Sequence, residues 1–194
     1  MPAAAQAVLD FWFLPEGDPG HGGYRPEWFR KDPAFDSAIR ERFGPEVEDA
    51  LAGRRDGWNA GAEGCLALVL LLDQFTRNVF RDTPRAFAGD AAALGLAESA
   101  VGDGRDLALP PIRRWFLYLP FMHAESLPAQ ERCVALFRAL GEAGGAAFDS
   151  PLDYAMRHRD VIARFGRFPH RNSILGREST VAESAFLTLP GSSF

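Results

Sequence analysis

The sequence predicts an all-α protein that forms a single domain over residues 1–194. One reason is that a capping residue followed by proline precedes several amphipathic segments, a combination typical of the first turn of a helix. A second reason is that no segment alternates strictly between apolar and polar residues, and no Asn-Gly hairpin turn occurs. The chain therefore lacks the usual sequence signals of β-strands.

The first helix of this kind is expected after Asp32-Pro33. In the segment that follows, Phe35, Ile39 and Phe43 lie four residues apart, which places them on one face of a helix. Gly44 is expected to end this helix, because glycine is common just after a helical C-terminus. A second, shorter helix is then expected over residues 46–51.

Similar sequence patterns predict the starts of other helices. Thr83-Pro84 is expected to open an alanine-rich helix that stops near residues 102–104, and Ser150-Pro151 is expected to open another. Thr180 and Glu183 have the spacing of a capping box, in which each residue satisfies a backbone donor of the other. Further helices are predicted over residues 3–13, 65–75, 111–121 and 128–141.

The composition is that of a globular protein with one local concentration of positive charge. Hydrophobic residues make up 47% of the chain and the formal net charge is −5, which disfavours nonspecific binding to nucleic acid or anionic lipid. Residues 157–177 nevertheless contain six arginines and one acid. The N-terminus has no basic signal-peptide region and no apolar run is long enough to cross a bilayer, so a cytoplasmic protein without a membrane partner is predicted.

One predicted helix passes from an apolar run into a polar cluster. Segment 65–72 is apolar all round, as in a helix that is buried on every side, and it is followed by Asp73, Gln74, Arg77 and Asn78. Asp73 and Arg77 are four residues apart, as are Gln74 and Asn78. Each pair can therefore meet on one helix face.

Two more predicted helices lead to polar residues in the same way. An aromatic helix ends at His123 and Glu125. In the helix after the Ser-Pro start, His158 falls on the apolar face, and Asp160 and Arg164 are spaced four apart as a second acid–arginine pair.

The polar groups at these buried helix ends need partners, because burying an unpaired charge costs several kcal/mol. We therefore expect the clusters to converge on one place. They could form a purely structural network, or a semi-buried pocket with surplus positive charge that binds a carboxylate or phosphate. The candidate ligand-binding residues are Asp73, Gln74, Arg77, Asn78, Arg81, His123, Glu125, His158, Arg164, Arg167, His170, Arg171 and Asn172.

Motifs for common cofactors and metals are missing from the sequence. It contains no GxGxxG, P-loop, HExxH or GxSxG, and the HxE formed by His123 and Glu125 lacks the PCxxC of zinc deaminases. Cys65 and Cys133 lie among apolar neighbours without CxxC spacing, which favours reduced core residues, with a single disulfide between them as the alternative. No cofactor and no metal site are predicted.

Long motifs in this chain resemble the domain-of-unknown-function 924 family. They are "LDQFTRNVFRDTPRAF", "LYLPFMHAES", "HRDVIARFGRFPHRNSILGREST" and the ending "TLPGSSF". The resemblance covers essentially the whole chain. It implies a tetratricopeptide-repeat-like, right-handed arrangement of about eight to ten helices, and it implies no established activity.

The chain departs from the family pattern at a few positions. The family tends to have proline where this chain has Thr76, glycine where it has Asp82, and glutamate where it has Met122. Loss of that glutamate weakens any metal or acid–base role centred on His123. The candidate site residues match the pattern, as does Arg159, and this agreement supports a shared polar site.

The sequence favours a protein that binds a small anionic ligand, or the acidic end of a peptide. One alternative is a hydrolase in which His123 or His170 acts as a general base beside Glu125. Another is a protein-interaction scaffold with a purely structural polar network. Binding of RNA is not favoured, because it would require the arginines to lie on an outer surface. The arginines expected to clamp the anion are Arg77, Arg164, Arg167 and Arg171.

Overall fold

A computed structural model of the chain describes residues 1–192 and confirms the all-α class. Those residues form α-helices, short 3-10 turns and a π-helical segment, and no β-strand occurs among them. None of their helices combines the length and the apolar character that crossing a membrane would need. The helices are α1 (Ala3–Phe13), α2 (Pro33–Leu51), α3 (Ala62–Val69), α4 (Thr76–Val79), α5 (Asp90–Gly102), α6 (Pro111–His123), α7 (Leu127–Gly144), α8 (Asp149–Phe165) and α9 (Val181–Leu187).

The chain divides into two compact units. Unit 1 consists of Met1–Arg81 and Arg85–Pro120, and unit 2 consists of Asp82–Pro84 together with residues 121–192 of the described part. The single-domain organisation and the tetratricopeptide-repeat-like arrangement stay predictions. The last two residues of the "TLPGSSF" ending, 193 and 194, lie outside the described residues.

Helix α2 runs through Gly44 and Pro45, so the predicted stop at Gly44 and the separate helix over residues 46–51 are wrong. The predicted start is confirmed, because the carboxylate of Asp32 accepts two backbone N–H groups at 2.9 and 3.2 Å. The helix continues past the glycine because its buried face continues to Val47 and beyond. Burial of that face outweighs the one backbone hydrogen bond that Pro45 cannot donate.

The alanine-rich helix predicted after Thr83-Pro84 is divided into two parts. Pro84–Phe87 form a 3-10 turn, and α5 begins only at Asp90. Gly89 lies at the break, where a Cβ atom would come 2.2 Å from the carbonyl oxygen of Leu72. The break thus occurs where two backbone segments approach so closely that only glycine fits between them.

The helix predicted over residues 65–75 is longer and less regular than expected. It extends over residues 62–79 as α3, a π-helical segment (Leu70–Phe75) and α4. All six residues of the π-helical segment are buried, including Asp73 and Gln74. A π turn is wider than an α turn and is often found at functional sites. The backbone that carries Asp73 and Gln74 is therefore not a regular α-helix.

The later helices follow the predicted pattern closely. Helix α8 begins one residue before Ser150 and ends at Phe165, where Gly166 takes the left-handed conformation with φ of 70°. The capping box of α9 is confirmed, because Thr180 accepts from the backbone of Glu183 and the Glu183 carboxylate accepts from the backbone of Thr180. Both ends of the loop between α8 and α9 are therefore fixed by local contacts.

Each unit has its own apolar core. In unit 1 the core is aromatic, and the ring of Trp12 lies 5.3 Å from that of Phe75 and 5.5 Å from that of Phe116. In unit 2, α7 packs against α8, and Ile162 lies in a buried cluster with Phe168.

Candidate functional site

The candidate site residues are divided between the two units. Asp73, Arg171 and Asn172 are almost fully buried, and His123 and His170 are partly buried. Whether the two groups meet at one place stays a prediction. Unit 1 contains Asp73, Gln74, Arg77, Asn78 and Arg81, and unit 2 contains His123, Glu125, His158, Arg164, Arg167, His170, Arg171 and Asn172.

In unit 1, Arg77 is bound by two aspartates. Its Nη1 donates to the Asp73 carbonyl oxygen at 2.6 Å and lies 3.4 Å from the Asp73 carboxylate, which confirms the predicted pair. Both terminal nitrogens donate to the Asp90 carboxylate, at 2.8 and 3.1 Å. Burial alone would lower the pKa of Arg77, but the charges of Asp73 and Asp90 raise it. Arg77 thus stays protonated and strongly paired.

The predicted contact between Gln74 and Asn78 does not form within the described residues, because each side chain donates to a different carboxylate. Nε2 of Gln74 donates to Asp73 at 2.6 Å, and Nδ2 of Asn78 donates to Asp36 at 2.7 Å. Arg81 donates to the same Asp36 through Nε and Nη2, at 2.6 and 2.8 Å. Each amide therefore donates a further hydrogen bond to the acid of an acid–arginine pair, Gln74 to that of Asp73 and Arg77, and Asn78 to that of Asp36 and Arg81.

Asp36 is a central residue of this cluster that sequence reasoning missed. It is 6% exposed. Burial would raise the pKa of its carboxyl, but the hydrogen bonds from Arg81 and Asn78 outweigh that effect and lower it. The spacing in the sequence could have identified Asp36. It precedes Ile39 by three residues, which places its carboxylate on the buried face of α2.

In unit 2, Glu125 anchors the turn that carries the histidine and arginine residues. Its carboxylate accepts from both terminal nitrogens of Arg177, at 2.7 and 2.9 Å, and from the backbone N–H of Phe168 at 2.7 Å. Burial would raise the pKa of Glu125, but the hydrogen bonds from Arg177 and Phe168 lower it. Arg177 was not among the candidate residues, although it lies in the arginine-rich stretch. It also donates to Asn172 at 3.0 Å.

His158 is buried and neutral. Its Nδ1–H donates to the Tyr154 carbonyl oxygen at 2.8 Å, which leaves the lone pair on Nε2. Burial, together with the positive charge of Arg171, lowers the pKa of His158 to about 3. The ring also packs edge-on against Phe168 at 5.5 Å. A proton on this imidazole would therefore be strongly unfavourable.

His170 is in a similar environment. Burial, then the charge of Arg171, lowers its pKa to about 4, against a smaller raising effect from Glu125. The guanidinium of Arg171 lies over the ring of Phe168, 4.5 Å from its centre. Over residues 1–192, no three histidine, cysteine or acidic side chains are arranged to hold a metal ion.

The predicted pair of Asp160 and Arg164 does not form. The carboxylate of Asp160 instead accepts from its neighbour Arg159, at 2.6 and 3.0 Å. Arg164 lies over the ring of Phe165 at 4.6 Å and near that of Phe186 at 5.9 Å. Contact with the two rings replaces the acid, and in the described part of the chain no carboxylate pairs with Arg164.

Arg167 is held firmly on one side. Its Nε and Nη2 donate to the Glu183 carboxylate at 2.6 and 2.8 Å, and Nη2 also donates to the Glu178 carbonyl oxygen at 2.8 Å. These hydrogen bonds from Arg167, with one from the backbone of Thr180, lower the pKa of Glu183 to about 2. Nη1 of Arg167 has no hydrogen-bond acceptor among residues 1–192.

An open cleft of about 550 Å³ on the surface of unit 2 lies beside Arg164 and Arg167. Both arginines were predicted as ligand-binding residues, but nothing in the sequence indicated a cleft between the end of α8 and the start of α9. The arrangement offers N–H donors from two guanidinium groups beside aromatic carbon, which suits an anion. The lining residues are Arg164, Phe165, Arg167, Thr180, Ala182 and Glu183.

Comparison with known proteins gives a consistent result over nearly the whole chain. A family model described as "Bacterial protein of unknown function (DUF924)" matches residues 8–191. A solved structure described as "Structure of Protein of Unknown Function ATU0120 from Agrobacterium tumefaciens" is 43% identical, with a TM-score of 0.80 over 95% of this chain and 97% of that chain. Curated proteins give no match. The similarity therefore indicates a shared fold and does not indicate an activity.

Proposed function

Because this chain belongs to the DUF924 family, which is described only as being of unknown function, we propose its role from its own side chains: it binds a small carboxylate or phosphate in the cleft of unit 2. One observation carries the proposal. The cleft places Arg164 beside Arg167, and both have N–H donors without acceptors among residues 1–192.

Arg164 supplies the main positive charge and the main N–H donors for a bound anion. Its guanidinium is solvent-exposed and lies over the ring of Phe165. An arginine stacked in this way is still able to direct its N–H groups along the edge of the guanidinium plane toward a ligand. Since no described carboxylate neutralises it, Arg164 supplies the positive charge that a bound anion would meet.

Arg167 adds a second donor group in a fixed position. Two of its nitrogens are already bonded to Glu183, so the side chain loses little conformational freedom when Nη1 meets a ligand. Such pre-organised donors hold anions more tightly than mobile surface side chains do. Glu183, a residue of α9 that is 2% exposed, thus acts by positioning Arg167.

The position of the cleft also suits this role. It is an open depression on the surface of unit 2, so an anion can reach the Arg164 guanidinium directly from solvent. The hydrolase alternative has no comparable support, because both Glu125 oxygens are engaged by Arg177 and by the backbone of Phe168. We therefore place the ligand beside Arg164.

The experiment is a thermal-shift and calorimetric titration with phosphate and with small carboxylates. We expect at least one of these anions to raise the melting temperature of the wild-type protein, and Arg164→Gln to weaken its binding about tenfold or more through loss of a charged hydrogen bond. Arg157→Gln is the matched control, since Arg157 is an exposed arginine of the same helix that pairs with Asp153 at 2.8 Å. The proposal is wrong if no anion binds at millimolar concentration, or if Arg164→Gln binds as the wild type does.

A further inference from the structure

We infer that the anion bound beside Arg164 is a carboxylate attached to an apolar group, and not inorganic phosphate or a small hydrophilic acid. This inference rests on the proposed function, because it concerns the same cleft. The charge of the lining and its apolar wall favour this class of ligand.

The charge of the lining favours a monoanion. The cleft is lined by two guanidinium groups, those of Arg164 and Arg167, and by the carboxylate of Glu183. Arg167 and Glu183 neutralise each other, which leaves the single positive charge of Arg164. A carboxylate carries one negative charge, whereas a phosphate monoester carries about −1.5 to −2 at neutral pH and would meet the Glu183 carboxylate with less compensation.

The lining also has an apolar wall. Phe165 and Ala182 both line the cleft. Phe165 packs against Phe186 with ring centres 5.1 Å apart, and both rings pack on the buried cluster that includes Ile162. The wall is therefore continuous with the core of unit 2, and apolar atoms of a ligand can lie against it.

The shape of the cleft leaves room beside a charged group. The cleft is an open depression of about 550 Å³, and a carboxylate bound to the Arg164 guanidinium would occupy only a small part of it. Phe165 and Ala182 supply apolar atoms to its lining. Apolar atoms placed there leave water, which is favourable by roughly 25 cal/mol for each Å² buried. A hydrophilic acid of the same charge would gain nothing from this wall.

Two sources could supply this chemistry. One is a free hydrophobic acid, and the other is the C-terminus of a peptide whose last residue is apolar, because both present a carboxylate next to apolar carbon. The recognition is the same in both cases: an arginine fork for the two oxygens and an apolar wall for the attached group.

The test is a calorimetric series on the wild-type protein with acetate, butanoate, hexanoate and inorganic phosphate. We expect Kd to fall from acetate to hexanoate, by less than the roughly fourfold that each fully buried methylene would give, because the wall covers the ligand on one side only. We also expect phosphate to bind more weakly than hexanoate. A tripeptide ending in leucine is compared with its C-terminally amidated form. Binding of only the free-carboxylate form would support the same chemistry and would identify a peptide end as the source.

Two variants separate this inference from the proposed function. Ala182→Gln places a polar group on the apolar wall and is expected to flatten the dependence on chain length. Ala185→Gln makes the same change at an exposed position of α9 outside the lining and is expected to preserve that dependence. Arg164→Gln is expected to weaken every acid alike.

The outcomes are distinguishable. If acetate, hexanoate and phosphate all bind equally in an Arg164-dependent manner, the proposed function stands and the inference about the apolar group is overturned. If no anion binds at all, both are overturned. A chain-length dependence that survives Ala182→Gln unchanged would also contradict the apolar wall.

Discussion

At the scale of single residues, the polar side chains of both units are organised by arginines that engage two carboxylate oxygens at once. Arg81 binds Asp36 in this way, and Arg167 binds Glu183. The planar guanidinium fork matches the spacing of the two oxygens, so each pair fixes a direction as well as a distance. Each of these acids is almost fully buried, and its arginine is what makes burial tolerable.

The pair of Arg81 and Asp36 gives a prediction at this scale. Arg81→Ala leaves the Asp36 carboxylate buried without its main cation, so we expect a loss of about 3 kcal/mol in the free energy of unfolding measured with urea. The control is Arg85→Ala, because Arg85 binds Glu48 at 2.8 Å in a pair that is about half exposed on both sides. That control should cost less than about 1 kcal/mol. Equal losses in the two variants would contradict the importance assigned to Asp36.

At the scale of helices, the space around a glycine separates a position where a helix continues from one where it is broken. Gly44 has open space around its α-carbon, and α2 passes through it. Gly89 faces the backbone of Leu72, and the helix predicted across it is broken there. The same residue type therefore has opposite consequences in the two places, because a close backbone contact excludes every side chain and an open surface excludes none.

This contrast predicts opposite effects for two glycine-to-alanine substitutions near each other. Gly89→Ala puts a methyl group 2.2 Å from the carbonyl oxygen of Leu72, and we expect it to destabilise the protein by about 1–3 kcal/mol. Gly95→Ala lies inside α5, where nothing would touch the added carbon, and it should stabilise the protein by up to about 1 kcal/mol. Urea unfolding measures both. A neutral Gly89→Ala would show that the backbones do not approach as described.

At the scale of the whole molecule, two buried histidines make the free energy of unfolding depend on pH in the same direction. The pKa of His158 falls to about 3 and that of His170 to about 4 in the folded protein, mainly through burial. Unfolded histidine has a pKa of about 6.5. Between these values the unfolded chain binds protons that the folded chain does not, so the stability present above about pH 6.5 is lost as the pH falls.

We therefore expect the free energy of unfolding to fall steeply between about pH 6 and pH 4, with His158 alone contributing about 1.4 kcal/mol for each pH unit. His158→Gln cannot titrate and should reduce the slope by that amount, whatever its effect at neutral pH. His21→Gln, at an exposed position, serves as the control. The measurement is urea unfolding at several pH values. An unchanged slope in His158→Gln would mean that His158 is already protonated in the folded protein or is accessible to water.

Much of the secondary structure could be read from the sequence. The caps at Asp32 and Thr180 were predicted and are confirmed, because a capping contact involves residues only two or three positions apart. The pair of Asp73 and Arg77 was predicted for the same reason. The π-helical segment could not be predicted, since it reflects how buried side chains pack and not a preference of its own residues.

The sequence by itself determined the helical class, the local caps and the fact that arginines and acids follow buried helices. Only the tertiary structure decided which acid each arginine binds. Asp160 was four residues from Arg164 and does not bind it, whereas Arg81 binds Asp36 from 45 positions away. Spacing along a helix says which groups are able to meet, but a buried charge takes the partner that packing brings within hydrogen-bond distance. For the same reason the cleft beside Arg164 exists only once α8 and α9 are placed against each other.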